Sequence, residues 1–576
     1  MDEEDLRQRS VTCDMIYSIK MERTGDRELL VLEEEDEQEG ARSRPWLEDS
    51  SCLSLVHLSA VVAAIGGLLF GYDVGVISGA KVQVAADLGL SCRHEELLVG
   101  LMPLGALTAS TVAHHLLSRI GRKASIQLTA LVFTVSALLM AFSSSLLQLL
   151  VGRFTIGFAV SLSAMAECLY ISEISSPNNR GLLVSLNELG ITIGFLLAYI
   201  VNYIFMETEG GWRYMFGLSS VLSIVQLLLL LLLPRTPHFL VMKGRDAEAV
   251  SVLRRIRGSE LGLRQEVADI RSSMTEASQA SCSGLFGSEH NMRGRLVIAL
   301  GLVILQQMTG QPNILYYATD VFEAVGFCGE TLASLAAVGL GLVKVAATVV
   351  SLCLVDRVGR RTLLLAGVAM MATSLLCLTV FAGYQHHISG DMVEHEVCSH
   401  LDNTTTQHTS VFLRHNATHE GQPQCEDNPL PSGVRYLAFI AIVTFVAAYS
   451  LSFGPVTWIL LSELFPLGFK GQAMSLGQAV NWTSNVFVSV TFLDAVRVLT
   501  LPSIFFFYFF MAIISLIFIY FCVPETRNKT LEEISRDLKK GVRIRDCSFG
   551  FHQTNREQQN TKQFIRLEDE IATDTM

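Results

Sequence analysis

Twelve stretches of this chain are apolar over roughly 20 residues, the length a helix needs to cross the hydrocarbon core of a bilayer. They begin near Leu53, Leu97, Ala124, Leu149, Leu182, Tyr214, Leu296, Leu332, Thr362, Val434, Ala473 and Leu501. Inside hydrocarbon each backbone amide must be bonded within its own segment, so runs of this length dictate helices. The composition agrees, since half of the 576 residues are hydrophobic and only 17% are charged. These features predict an all-α membrane protein with twelve transmembrane helices. Residues 1–50 are hydrophilic, include the acidic run Glu33 to Glu37, and lack a short basic lead into the first span. A cleaved signal peptide is therefore not expected.

Lys and Arg in short loops set orientation. One set of alternating connections carries Arg119, Arg122 and Lys123, then Arg180, the basic segment Arg235 to Arg295, Arg357, Arg360 and Arg361, and Lys470. The other set is poorer, so both termini are expected in the cytoplasm. The net charge of -12 resides largely in the soluble tails, and no basic patch points to nucleic acid. The twelve cysteines form no CxxC pair or metal spacing, so no metal site is expected. Cys398 and Cys425 share the hydrophilic loop 386–433, which the charge rule places outside, and a disulfide between them is expected there. The same loop holds the glycosylation sequons at Asn403 and Asn416.

The chain repeats itself. Gly121-Arg122-Lys123 after the second span returns 238 positions later as Gly359-Arg360-Arg361 after the eighth. Ser172-Glu173-Ile174 with Arg180-Gly181 returns 290 positions on as Ser462-Glu463-Leu464 with Lys470-Gly471. The growth in offset matches the hydrophilic loop between spans nine and ten. Two six-helix bundles joined by a cytoplasmic helical linker follow, and such repeats suggest alternating access around a central site. The expected divisions are a tail at 1–50, a bundle at 51–234, the linker at 235–294, a bundle at 295–526 and a tail at 527–576. Glu173, Arg180, Arg360, Arg361 and Glu463 would meet at the cytoplasmic rim and hold it closed in the outward-facing state. The linker's amphipathic segments act either as a plain connection or as a latch.

Span seven is unusually polar, reading Gln306-Gln307-Met308-Thr309-Gly310-Gln311-Pro312-Asn313. Four carboxamides either bond neighbouring helices or face a watery cavity holding a polar ligand. Gly310 and Pro312 interrupt the helix and favour the cavity.

The ordered motifs then form a known set: Phe70-Gly71-Tyr72-Asp73, Gly152-Arg153, Arg180-Gly181, Gln306-Gln307 with Thr309-Gly310, Asp356-Arg357 with Gly359-Arg360-Arg361, Gly454-Pro455 with Trp458, and Pro524-Glu525-Thr526. In them the chain resembles the sugar-porter branch of the major facilitator superfamily from about Leu53 to Ile534. The placement of the glycosylated loop between spans nine and ten resembles class III facilitative glucose transporters, within which Thr309-Gly310-Gln311-Pro312-Asn313 and Gly454-Pro455-Val456-Thr457-Trp458 look most like the type ten branch, with type twelve next. The resemblance implies a major facilitator fold. It also implies a hexose site at Gln306, Gln307, Trp458 and Asn481, with Asn313 and Glu188 as departures from the usual pattern, and a gate at Tyr316 and Tyr317. Carboxamides suit sugar hydroxyls because they donate and accept, and an indole packs the apolar face of a pyranose. Glu188 and Lys344, at positions where the family has neutral residues, form a candidate buried pair across the halves. Ser118 replaces the Asp of the first inner-loop motif, and Pro234-Arg235-Thr236-Pro237-His238 loses the family's Glu.

Asp73 stands where proton-driven bacterial relatives carry Asp and many facilitative members carry Asn. Opposite it, Arg153 would hold the carboxylate, either as a proton-coupling device or as a static pair. The expected function is facilitative hexose transport, extending to dehydroascorbate. The alternatives are proton-hexose symport through Asp73 and a nontransporting sugar sensor. No nucleophile, metal cluster or phosphate loop suggests an enzyme, and no cofactor is expected. The partners expected are a small sugar and the lipid bilayer, with the monomer as the functional unit, at the plasma membrane or an endomembrane.

Overall fold

A computed structural model describes residues 50–175, 180–257, 262–279, 285–287, 291–327, 329–389, 432–527, 529, 533, 534 and 538. The expected sites at Asn403, Asn416, Cys398 and Cys425 lie outside the described residues, as does the side chain of Arg180.

Among the described residues the regular structure is helical. The first half comprises α1 (Ser50–Gly75), α2 (Ile77–Leu88), α3 (Cys92–Ile120), α4 (Arg122–Ala141), α5 (Leu146–Ile174), α6 (Arg180–Phe205) and α7 (Gly211–Leu232). Three short helices follow as a linker, α8 (Pro237–Met242), α9 (Asp246–Arg257) and α10 (Leu263–Gln279). The second half comprises α11 (Met292–Met308), α12 (Gln311–Tyr316), α13 (Ala318–Ala324), α14 (Glu330–Val358), α15 (Arg360–Ser389), α16 (Ser432–Leu451), α17 (Phe453–Leu464), α18 (Leu467–Val490), α19 (Phe492–Leu499) and α20 (Leu501–Cys522).

Ten helical segments are long and apolar enough to cross a membrane, with α16 and α17 counted as one. The other two of the twelve expected spans fall short for a physical reason. Span seven is cut into α11, α12 and α13, and α18 spends its length on Gln472, Gln478, Asn481 and Asn485. A helix that carries the polar site gives up hydropathy to do so.

Local chemistry sets the breaks. Gly310 takes φ 81°, a left-handed conformation that costs a glycine little, and Pro312 opens α12, where its missing N–H has no partner to lose. Between α16 and α17, Ser452 lies outside helical space at φ -120°, ψ -89°, and Pro455 sits in the first turn beyond it.

The halves meet along two seams, α3 against α18 and α6 against α14. Within the first half, α1 and α5 approach so closely at Gly66 that an added Cβ would fall 1.6 Å from Glu167 Oε1. That carboxylate is buried, accepting from Ser163 at 2.6 Å and Gln226 at 2.9 Å. Outward, large apolar side chains such as Phe506, Phe507 and Phe510 on α20 are exposed, as expected of surface that faces lipid.

The face bearing α8–α10 is here the linker face, and the opposite one the far face. At the linker face the repeated motifs make repeated ion pairs. Arg122 meets Glu173 at 2.6 Å, and Arg360 meets Glu463 at 3.3 Å. Arg360 also reaches Asp356 at 3.0 Å, whereas Ser118, in the equivalent place, donates to the carbonyl of His115. These pairs each stay within one half. The far face differs, with bonds that cross between halves. Lys81 Nζ meets Asp320 at 2.6 Å, Thr319 donates to Ser78 O at 2.6 Å, and Tyr199 donates to Leu315 O at 3.1 Å. The protein is thus described in a state fastened at the far face.

Candidate substrate site

The breaks in spans seven and ten bring their polar residues together with α18. Gln306 Nε2 donates to the Tyr449 hydroxyl at 2.7 Å and to the carbonyl of Phe453 at 3.2 Å. A carbonyl only accepts, so this contact fixes the orientation of the amide and leaves Oε1 without a protein partner. Gln307 Nε2 donates to Asn481 Oδ1 at 2.5 Å, while Asn485 Nδ2 donates to Gln307 Oε1 at 3.2 Å. Tyr316 closes this chain by donating to Asn485 Oδ1 at 3.1 Å. Tyr316, expected as a gate, and the amides expected at the sugar site therefore form one directed hydrogen-bonded row, Tyr316 to Asn485 to Gln307 to Asn481. Trp458 is half-buried on α17, just beyond the break.

Three expectations change. Asn313, expected among the sugar ligands, is fully buried and donates to Val488 O at 3.1 Å and Tyr508 Oη at 2.7 Å. Because the helix restarts after Gly310, this amide binds α12 to α18 and α20. Glu188 and Lys344 sense each other's charge but form no ion pair within 4.0 Å. The Lys344 ammonium instead lies 5.2 Å from the Phe195 ring centroid and 5.8 Å from that of Tyr449, a cation–π arrangement.

Asp73 and Arg153 are both fully buried, yet the guanidinium does not bond the carboxylate. It donates to the backbone carbonyls of Asp73 at 2.8 Å and Leu98 at 3.2 Å. Span one breaks just beyond, at Val76, and an arginine fork suits carbonyls near such a joint. Both Asp73 oxygens are left without a hydrogen bond.

Tyr317 faces the far-face seam. Its ring packs at a tilt against Phe492 with centroids 4.9 Å apart, and the Lys81 ammonium sits 5.0 Å from its centroid. Sequence reasoning missed Lys81, Asp320, Tyr449 and Asn485. Asn485 carried a legible signal, since it follows Asn481 by four residues and shares its helix face. Lys81 was legible only as a lysine closing an apolar span, and nothing local pairs it with a residue 239 positions away.

Two helical halves around a row of buried amides define a polytopic carrier for a polar solute, the major facilitator class. A family model described as "Sugar (and other) transporter" matches residues 59–394 and 416–538, and the chain belongs to that family. It is therefore a membrane-embedded transporter of small sugars rather than an enzyme.

It is 37% identical over 567 residues to "Solute carrier family 2, facilitated glucose transporter member 12" of Homo sapiens, covering 90% of this chain and 91% of that protein. Member 10 of the same series, from Homo sapiens, is 39% identical over 540 residues, covering 87% and 96%. Among solved structures, the partially occluded inward open conformation of the xylose transporter XylE from E. coli superposes with a TM-score of 0.65 at 26% identity, covering 83% of this chain and 100% of that one. The proton:xylose symporter XylE bound to 6-bromo-6-deoxy-D-glucose gives 0.65 at 27% identity, covering 84% and 99%.

Proposed function

We propose that this protein is a facilitative hexose transporter working by alternating access, with D-glucose or a related sugar as substrate. The observation that carries the reading is the bonded row of Gln307, Asn481 and Asn485, with Gln306 held at the span-ten break by Tyr449 and Phe453; Trp458 completes the proposed site. Gln306 offers an unoccupied acceptor, and the half-buried Trp458 follows the span-ten break on α17. Glu188 and Lys344 extend the site toward the α6–α14 seam. Tyr316 and Tyr317 form the far-face gate. Glu173, Arg360, Arg361 and Glu463 act in the gate of the linker face.

The linker face is cytoplasmic, with both termini, and the far face carries glycans at Asn403 and Asn416 and a Cys398–Cys425 disulfide. The domains divide at 51–234, 235–294 and 295–526. The protein acts as a monomer, without nucleic acid, in the plasma membrane or an endomembrane. Names of relatives supply the sugar class, since the matching proteins are termed facilitated glucose transporters.

Proton symport is the second reading. It is favoured by one feature, a fully buried Asp73 carboxylate with neither oxygen bonded. Reconstitution in liposomes with labelled D-glucose and an imposed pH gradient tests both. Saturable downhill flux without accumulation supports facilitated transport. Uphill accumulation that Asp73→Asn abolishes would overturn it in favour of symport. Saturable binding without flux would overturn both.

A further inference from the structure

The two halves treat one repeated position in opposite ways. In the second half, Glu525 turns its carboxylate onto the start of α15, accepting from the backbone N–H of Arg360 at 3.0 Å and of Arg361 at 3.1 Å. The equivalent residue in the first half, 290 positions earlier and within the same Pro-x-Thr frame, is Arg235. The sign of the charge is reversed where the repeat needs an anion.

Where Glu525 sits over Gly359, the Phe239 ring sits over Gly121, 2.9 Å from where a Cβ would lie, and beside that ring there is open space. A cavity of about 120 Å³ lies at this spot, lined by Gly121, Arg122, Lys123, Gln127, Arg235 and Phe239 among others, with no acidic residue in its lining. Glu173 takes up the charge of Arg122. Lys123 spends one N–H on the carbonyl of Leu233 at 2.5 Å, and its charge and that of Arg235 repel each other. Arg235 is exposed, and among the described residues it has no hydrogen-bond or ion-pair partner. The volume holds several waters or one tetrahedral oxyanion, at roughly 30 Å³ per water.

We propose that this cavity is a binding site for a phosphate-class anion, which supplies from outside the charge that Glu525 supplies from within the other half. Lys123 and Arg235 would meet its oxygens through charge-assisted hydrogen bonds, and the Gln127 amide would donate a further one. The chemistry is shared by a phospholipid headgroup and by free phosphate. The proposal stands apart from the identity of the transported sugar.

The test is thermal unfolding of the purified full chain in detergent at constant ionic strength. One arm adds inorganic phosphate in place of chloride, and the other adds phosphatidylglycerol in place of phosphatidylcholine. A Tm rise of about 2 °C or more in one arm is expected, and the arm that responds names the source. Arg235→Glu should raise Tm without any added anion and abolish the response, because it rebuilds the carboxylate of the second half. Lys123→Gln should abolish the response without that rise. If Arg235→Glu fails to express, Arg235→Gln at this exposed position should at least halve the response. No shift in either arm, or an equal shift retained in the variants, would overturn the proposal.

Discussion

Lys81 and Asp320 meet at 2.6 Å across the seam between the two halves, the lysine almost wholly buried and the aspartate about a quarter exposed. Glu95 lies 3.9 Å from the same ammonium, and Tyr317 offers it a ring face. Close by, Glu96 accepts the backbone N–H of Asp494 at 2.9 Å. The contacts of Lys81 with Asp320 and Tyr317 and of Glu96 with Asp494 cross between the halves, so their free energy biases the equilibrium between the two access states.

Breaking the pair should open the far face. A partly desolvated ion pair lies between the exposed and buried limits, so loss of one partner costs about 1–3 kcal/mol, roughly one to two orders of magnitude in the equilibrium. In Lys81→Gln, a cysteine introduced at Ala318 should react severalfold faster with a membrane-impermeant thiol reagent than in the parent. Equal labelling rates would remove the far-face lock from the mechanism.

Gln306→Ala and Trp458→Ala should each lower hexose transport with surface expression intact. Loss of a placed hydrogen-bonding group costs about 1–3 kcal/mol, or roughly 10- to 100-fold in kcat/KM. Unchanged uptake kinetics in both variants would dismiss these residues from the site.

The row from Tyr316 to Asn481 makes a separate prediction. Arg153 lies within electrostatic reach of the Tyr316 hydroxyl, which favours turning its oxygen to the guanidinium and its proton to Asn485. Tyr316→Phe and Asn485→Leu free the Gln307 amide to rotate. Both should blunt the preference between deoxy- and fluoro-glucose competitors at the hydroxyl read by this row, alongside a higher KM. An unaltered competitor ranking in both would show that the row is packing alone.

Asp73 and Arg153 should separate on substitution. Neither Asp73 oxygen is bonded, so Asp73→Asn removes a buried charge and should leave Tm equal or higher. Arg153→Leu strips donors from two buried carbonyls, at about 1–3 kcal/mol each, and should lower Tm clearly. A larger loss from Asp73→Asn than from Arg153→Leu would mean that the carboxylate is the stabilising partner.

At the α1–α5 crossing, Gly66→Ala should destabilise by about 1–3 kcal/mol or more, since its Cβ meets Glu167. Glu167→Ala in the same chain should recover much of that loss. A single Gly66→Ala variant with an unchanged Tm would show that the helices part easily there.

Much of this was readable in the chain. Apolar runs announced the spans, because the bilayer tolerates little else, and the two that fall short, one by its break and one by its polar residues, are those carrying Gln306, Gln307, Asn481 and Asn485. The repeated Gly-Arg-Lys and Ser-Glu motifs foretold the Arg122–Glu173 and Arg360–Glu463 pairs. They did not foretell that each pair would stay within its own half, because spacing in sequence says nothing about which bundle a side chain leans toward. The direction of Asn313 depended on how far the backbone rotates at Gly310, a torsion no residue type specifies. Lys81 and Asp320 meet only through the packing of spans one and seven.

Gly310 is the joint on which the Gln306–Gln307 pair and the Tyr316–Tyr317 pair are both hung, and a Cβ there would run into the Tyr508 ring at 2.3 Å. Under the proposed function, selectivity and turnover share one backbone hinge. A lineage that adjusts which sugar is held by altering this segment also alters how readily the entrance swings, so the two traits evolve together or not at all.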